Sequence, residues 1–116
     1  MGTIARIDPG RRLSQCVVHG DTVYTAGIVA DNTKLDIKGQ TEEVLRKIDL
    51  LLKQAGTSKS RVLTATVYLP DMKNYQGMNS VWDQWVDAGN TPARATVGVA
   101  LAAPEYLVEI AVIAAK

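Results

Sequence analysis

Two charged residues sit inside segments that otherwise read as core. Arg94 lies in ARATVGVAL (93–101) and Glu109 lies in YLVEIAVIAA (106–115). If these two segments form a hairpin with its turn centred near Leu101 and Ala102, Arg94 and Glu109 face each other across the strands, at the short Cβ separation of cross-strand partners. Two readings follow. One is a plain cross-strand ion pair, which adds little net stability when half-buried because desolvation opposes the attraction. The other is chemical. A guanidinium fork binds a carboxylate through two parallel hydrogen bonds, and a carboxyl group screened from bulk water can give or take a proton. The pair's position on an otherwise apolar strand face favours the chemical reading.

Other candidate reactive groups are sparse. Cys16 is the only cysteine and has no base beside it in the chain, and the one histidine, His19, falls in HGD, a turn sequence. Both read as structural. The patterns CxxC, HExxH, GxGxxG, GxxxxGK[ST] and GxSxG do not occur, so no metal or nucleotide cofactor is expected. A net charge of +1 gives no electrostatic case for nucleic acid or a membrane surface. The apolar runs are too short to span a bilayer, and the N-terminus does not read as a signal peptide. These features suggest one cytoplasmic domain over 1–116.

The elements that must position Arg94 and Glu109 are legible in outline. SQCVV (14–18) and TVYTAGIVA (22–30) read as a hairpin around HGD. QTEEVLRKIDLLLKQAG (40–56) reads as a helix, with Val44, Leu45, Ile48, Leu51, Leu52 and Ala55 in one apolar stripe and Gly56 as its stop. Glu43 and Lys47 read as an exposed i, i+4 pair. RVLTATVYL (61–69) is a strand ended by Pro70. Asp71 can cap a second helix over 72–89, whose stripe is Tyr75, Met78, Val81, Trp82, Trp85 and Val86. The two tryptophans read as core. With the final two strands the order is β-β-α-β-α-β-β, an α+β pattern with a mixed sheet and two helices on one face. By period 2, Ala93, Ala95, Val97 and Val99 should meet the helices together with Val108, Ile110 and Val112. Arg94, Thr96 and Gly98 should share the other face with Leu107, Glu109, Ala111 and Ile113. No third helix covers that largely apolar second face, so it is expected to pack against another subunit.

TPARATVGV around Arg94, VEIAVIAA around Glu109, YTAGIVA around Gly27 and MNSVWDQW around Asn79 resemble the reactive intermediate deaminase family, RidA, once called YjgF. The likeness runs from Ile7 to Ala114, and is greatest to a short bacterial subgroup with RIDxxxRLS-like N-terminal text. The resemblance implies a chorismate-mutase-like fold and a homotrimer with three clefts between subunits. It implies cofactor-free hydrolysis of reactive imines and enamines, such as 2-aminoacrylate, to 2-keto acids and ammonia. Arg94 would bind the substrate carboxylate, and Glu109 would position or activate the water that attacks the C=N carbon. Gly27 and Thr96 would shape the pocket, with Asn79 near the cleft. Three positions depart from the founding pattern: a tyrosine near the cleft mouth is Leu13, a serine before the pocket glycine is Ala26, and a cysteine two residues after the arginine is Thr96. The lost hydroxyls imply a less polar pocket wall.

Two alternatives stand beside the deaminase. A non-catalytic binder or sensor of 2-keto acids needs Arg94 alone. A ribonuclease or translation inhibitor, an activity attached to some family members, needs a basic stripe or stacking aromatics. Arg11, Arg12, Lys59 and Arg61 are scattered along the chain, and no histidine pair is present.

Overall fold

The computed structural model describes residues 2–116. Its elements are β1 (Ile4–Pro9), β2 (Ser14–His19), β3 (Thr22–Thr25), α1 (Ile37–Gln54), β4 (Val62–Leu69), α2 (Tyr75–Trp85), β5 (Ala93–Gly98) and β6 (Glu109–Ala115). Short 3₁₀ turns precede β4 and α2. The strands form one mixed sheet in the order β1-β2-β3-β6-β4-β5, in which only β4 and β5 are parallel. The α+β class with two helices over one sheet face is as expected. β1 is an additional strand. Its side chains are mostly exposed, so it lacks the apolar alternation that marks a half-buried strand.

Local chemistry sets the boundaries. Gly20 takes a positive φ of 60° at the first central position of the β2–β3 turn, where a Cβ would be strained. Asp36 caps α1 by accepting the Gly39 N–H at 2.9 Å. At the other end Gly56, with φ of 85°, donates to Lys53 O at 3.1 Å, and Thr57 donates to Leu52 O at 2.9 Å. This double closure satisfies the last carbonyls and stops the helix. α2 is shorter than its apolar stripe suggests. Asp71 caps the 3₁₀ turn Met72–Asn74, and the helix ends at Trp85 because Asp87 organises the next turn, accepting from Gly89 N at 3.1 Å and Asn90 Nδ2 at 2.9 Å. These two donors, Asn90 first, hold the Asp87 carboxyl below its usual range.

The core lies between the helices and one sheet face. Leu45, Ile48 and Leu52 of α1 and Met78, Val81 and Trp82 of α2 meet Ala65, Val67 and Leu69 of β4 and Ile110, Val112 and Ala114 of β6. Trp82 and Trp85 pack at 5.2 Å between ring centroids, and the Trp85 indole N–H reaches both Asp49 carboxylate oxygens at 3.0 Å, tying α2 to α1. Glu43 corrects the reading of an exposed ion pair. It is only 7% exposed and accepts the backbone N–H groups of Asp31 at 2.6 Å and Asn32 at 3.2 Å, while Lys47 pairs with Asp31 at 2.9 Å instead. A buried carboxylate is retained because two backbone donors in an irregular loop need acceptors.

The expected β5–β6 hairpin does not form. β4, α2 and β5 make a strand-helix-strand unit, which lays β5 parallel to β4. The ten residues 99–108 then carry the chain across to the opposite side of β4, where β6 pairs antiparallel with Tyr68↔Glu109 and Val67↔Ile110 in register. The β5 faces are therefore reversed from the expectation. Arg94 and Thr96 align with the buried Ala65 and Val67 and point to the helices, whereas Ala93, Ala95 and Val97 are exposed on the helix-free face. The assignment for β6 holds: Ile110 and Val112 are buried under the helices, and Glu109, Ala111 and Ile113 face the other way. On that uncovered face Ile4, Tyr24 and Val97 remain 40–49% exposed.

Candidate functional site

Arg94 and Glu109 are not neighbours within the chain. They lie on strands either side of β4 and on opposite faces of the sheet. Each belongs to a separate cluster.

The Arg94 cluster is built by β5 and α2. The guanidinium stacks over the Trp82 ring, with its carbon 5.0 Å from the ring centroid. Nη1 points at Met78 Sδ, 3.9 Å away, and Nη2 reaches Tyr75 Oη at 3.5 Å. Asn79, one helical turn after Tyr75, lies beside the same phenol and lowers its pKa. An indole face, a thioether and a phenol orient the arginine but supply no negative charge. The one ion pair among the described residues is Lys47–Asp31. Thr96, two residues further along β5 on the same face, holds a hydroxyl oxygen that is buried with no partner. A half-buried cation without a counter-ion beside an unsatisfied hydroxyl is an arrangement that an anionic ligand completes. Arg94 and Thr96 thus share the helix-side face of β5 with Asn79 nearby on α2, apart from Glu109, Gly27 and Ala26, which were expected in the same site. Tyr75, Met78 and Trp82 join them, although their helical spacing reads as packing alone.

The Glu109 cluster is built where β3 departs from β6. Regular pairing ends at Tyr24↔Ile113 and resumes at the single bridge Ile28↔Ile110. Between these points Thr25, Ala26 and Gly27 span the stretch that β6 covers with Ala111 and Val112. The extra residue is a bulge, a device that re-aims the chain at a site. It is pinned by Val112 N–H to Thr25 Oγ1 at 3.0 Å, Ala26 N–H to Gln15 O at 2.9 Å, and reciprocal Ile28–Ile110 bonds of 2.8 and 3.1 Å. The Glu109 carboxylate rests over Gly27, where any Cβ would collide with it. Glycine at this position is therefore explained by close approach. Gly27, Ala26 and Glu109 form the second cluster. Leu13 is more than half exposed on the β1–β2 turn, where it lines a cleft of about 790 Å³ with Ile28, Leu51, Arg12 and Lys47.

Gln40 was not legible as a site residue. It is fully buried in α1, and its Oε1 accepts the Leu107 N–H at 3.0 Å. Its Nε2 lies at 3.1 Å from the carbonyls of Leu35 and Glu105 and 3.3 Å from that of Thr33. It anchors the irregular segment leading to Glu109. Periodicity gives no signal for such a residue beyond its being polar at a buried position of a helix. Among the described residues no cluster of histidine, cysteine or carboxylate side chains could hold a metal ion, and no helix is long and apolar enough to cross a membrane.

Comparison with known proteins gives a consistent likeness. Residues 3–116 match the family described as Endoribonuclease L-PSP. The chain is 47% identical over 113 residues to a RutC family protein of Haemophilus influenzae, covering 97% of each. It is 43% identical over 113 residues to the RutC family protein YoaB of Escherichia coli, covering 97% of this chain and 98% of that one. Among solved structures it is similar to NMB1025, a YjgF family member from Neisseria meningitidis, with a TM-score of 0.96 and 42% identity over 98% of this chain and 95% of that one.

Proposed function

Because the chain belongs to the Endoribonuclease L-PSP family, the YjgF/RutC group to which RidA also belongs, we propose that it is a hydrolytic deaminase of reactive 2-imino and 2-enamino acids, yielding 2-keto acids and ammonia. The observation that carries this reading is the Arg94 guanidinium, held by Trp82, Met78 and Tyr75 with no carboxylate partner. Each terminal nitrogen keeps a second N–H, enough for a two-point grip on a substrate carboxylate.

One subunit does not unite Arg94 with Glu109, so the complete cleft is formed between subunits of a homotrimer. The Arg94, Thr96 and Asn79 cluster of one copy meets the Glu109, Gly27 and Ala26 cluster of the next. The uncovered apolar face with Tyr24 and Val97 supports such an assembly. A head-to-tail contact that closes on itself makes all three clefts alike. In the cleft Arg94 fixes the carboxylate, and Glu109 takes a proton from the water that adds to the C=N carbon. Glu109 passes that proton to the nitrogen, giving the carbinolamine, and then carries the proton of the new hydroxyl to the amino group, so that the C–N bond breaks, ammonia leaves and the keto group remains. No metal, nucleotide, nucleic acid or membrane takes part, and the reaction is assigned to the cytoplasm.

The ribonuclease reading, favoured by the family's description, fits these residues less well. Lys59 lies over the Trp85 ring, Arg61 donates to Lys116 O, and Arg12 lines the cleft beside Leu13. These cations do not form one stripe. The test is to generate imines with an amino acid oxidase in the presence of semicarbazide and to compare wild type with Arg94→Ala. Loss of semicarbazone with wild type but not with the variant supports the assignment. Equal suppression by both contradicts it.

A further inference from the structure

The face of α2 that meets Arg94 carries a hydroxyl that helical spacing alone reads as apolar packing. Tyr75 lies one turn before Asn79 and two turns before Trp82, so all three look towards the same strand. The phenol oxygen accepts Arg94 Nη2–H at 3.5 Å. The polar side chain of Asn79, followed by the charge of Arg94, lowers the phenol pKa from its ordinary 10.0, with burial and Asp83 further along α2 opposing. With the Arg94 N–H directed at the oxygen and no acceptor for the phenol among its hydrogen bonds, the phenol's own hydrogen is left to donate.

We propose that Tyr75 is an anion-binding residue: its hydroxyl donates a hydrogen bond to the same carboxylate that Arg94 grips. The proposal rests on the reading of Arg94 as the carboxylate site and adds a donor to it. An arginine held by a thioether and an indole face can still slide along the bound anion. A third donor placed by α2 fixes where the carboxylate lies, and hence which way the C=N carbon points. The same hydroxyl makes binding sensitive to alkali. Once ionised, the phenolate becomes the missing counter-ion of Arg94 and repels a bound carboxylate, while Arg94 itself stays charged. Arg94 from β5 and Asp83 from α2 are the charged groups acting on this phenol.

The experiment is isothermal titration of the full-length protein with pyruvate, as a stable 2-keto acid, from neutral pH to above the phenol range. Wild type, Tyr75→Phe and Arg94→Ala are compared, with thermal melts to show that each variant is folded. Tyr75→Phe, which removes one oxygen, is expected to weaken binding about tenfold at neutral pH, the effect of losing one hydrogen bond to a charged group. The wild-type affinity is expected to fall on the alkaline side, and the variant's to stay level there. Equal affinities at neutral pH, or an alkaline fall that survives in Tyr75→Phe, overturn the proposal while leaving Arg94 as the anchor. If wild type and Arg94→Ala are alike in failing to bind, the carboxylate site itself is wrong, and the role of Tyr75 falls with it.

Discussion

The placement of Arg94 and Glu109 on opposite faces of one sheet gives a quantitative prediction about mixed assemblies. In the proposed trimer, Arg94→Ala and Glu109→Gln should each be inactive alone, because every shared cleft would then lack one group. If the two are unfolded together and refolded at equal concentration, subunits combine at random. A working cleft needs its arginine from a Glu109→Gln subunit and its glutamate from a neighbouring Arg94→Ala subunit. Each choice has a probability of one half, so about a quarter of the clefts in a closed ring of three are intact. Imine hydrolysis should return to about a quarter of the wild-type rate per subunit, with the semicarbazone assay as readout. Mixing the double variant with either single variant should restore nothing. Absence of recovery in the first mixture, with trimers present by sedimentation, would refute the shared cleft and require both groups to act within one chain.

Three further outcomes follow from particular contacts. Gly27→Ala places a methyl against the Glu109 carboxylate, so kcat should fall by at least tenfold with little change in the melting temperature, a split that kinetics and calorimetry together would read. Gln40→Leu strands three carbonyls and the Leu107 N–H. At about 3 kcal/mol for buried polar groups left unpaired, the melting temperature should drop by about 10 °C, and an unchanged melt would contradict the assigned network. Asp87 has its folded pKa lowered by Asn90 and Gly89 from 3.8, so its stabilising effect is full above the unfolded value and lost as pH falls through the folded one. The gap in melting temperature between wild type and Asp87→Ala should therefore be constant near neutrality and close below about pH 4; a gap that widens in acid would reverse the sign of the argument.

The residues that were legible in the sequence are those whose signal is periodic or local. The α1 stripe, the Gly56 stop, the Asp71 cap and the two faces of β6 all follow from spacing and turn chemistry. The partner of β5 was not legible from strand adjacency. A hairpin through 102–105 looks natural beside two apolar runs, but β4, α2 and β5 form a parallel crossover, and that rule outweighs proximity in sequence. Reversing β5 moved Arg94 from a supposed ion pair to a stack on Trp82. Glu43 and Gln40 were hidden for another reason. Their partners are backbone groups in irregular loops at distant positions, and no local pattern encodes those. Of the expected site residues, Arg94, Thr96 and Asn79 fall in one cluster and Gly27, Ala26 and Glu109 in another. Leu13 stands on a separate turn, lining the cleft that Ile28 also borders.

The central claim is that this protein hydrolyses free imines, and one measurement addresses it directly. Imines are produced at a fixed rate from several amino acids by an oxidase, semicarbazide is present in excess, and purified wild-type protein is titrated in. Semicarbazone formation is expected to fall with added protein while free keto acid rises by the same amount and ammonia is unchanged, and imines with apolar side chains are expected to be favoured, given Leu13 and Ala26. Semicarbazone formation that stays level at every protein concentration and for every amino acid would contradict it.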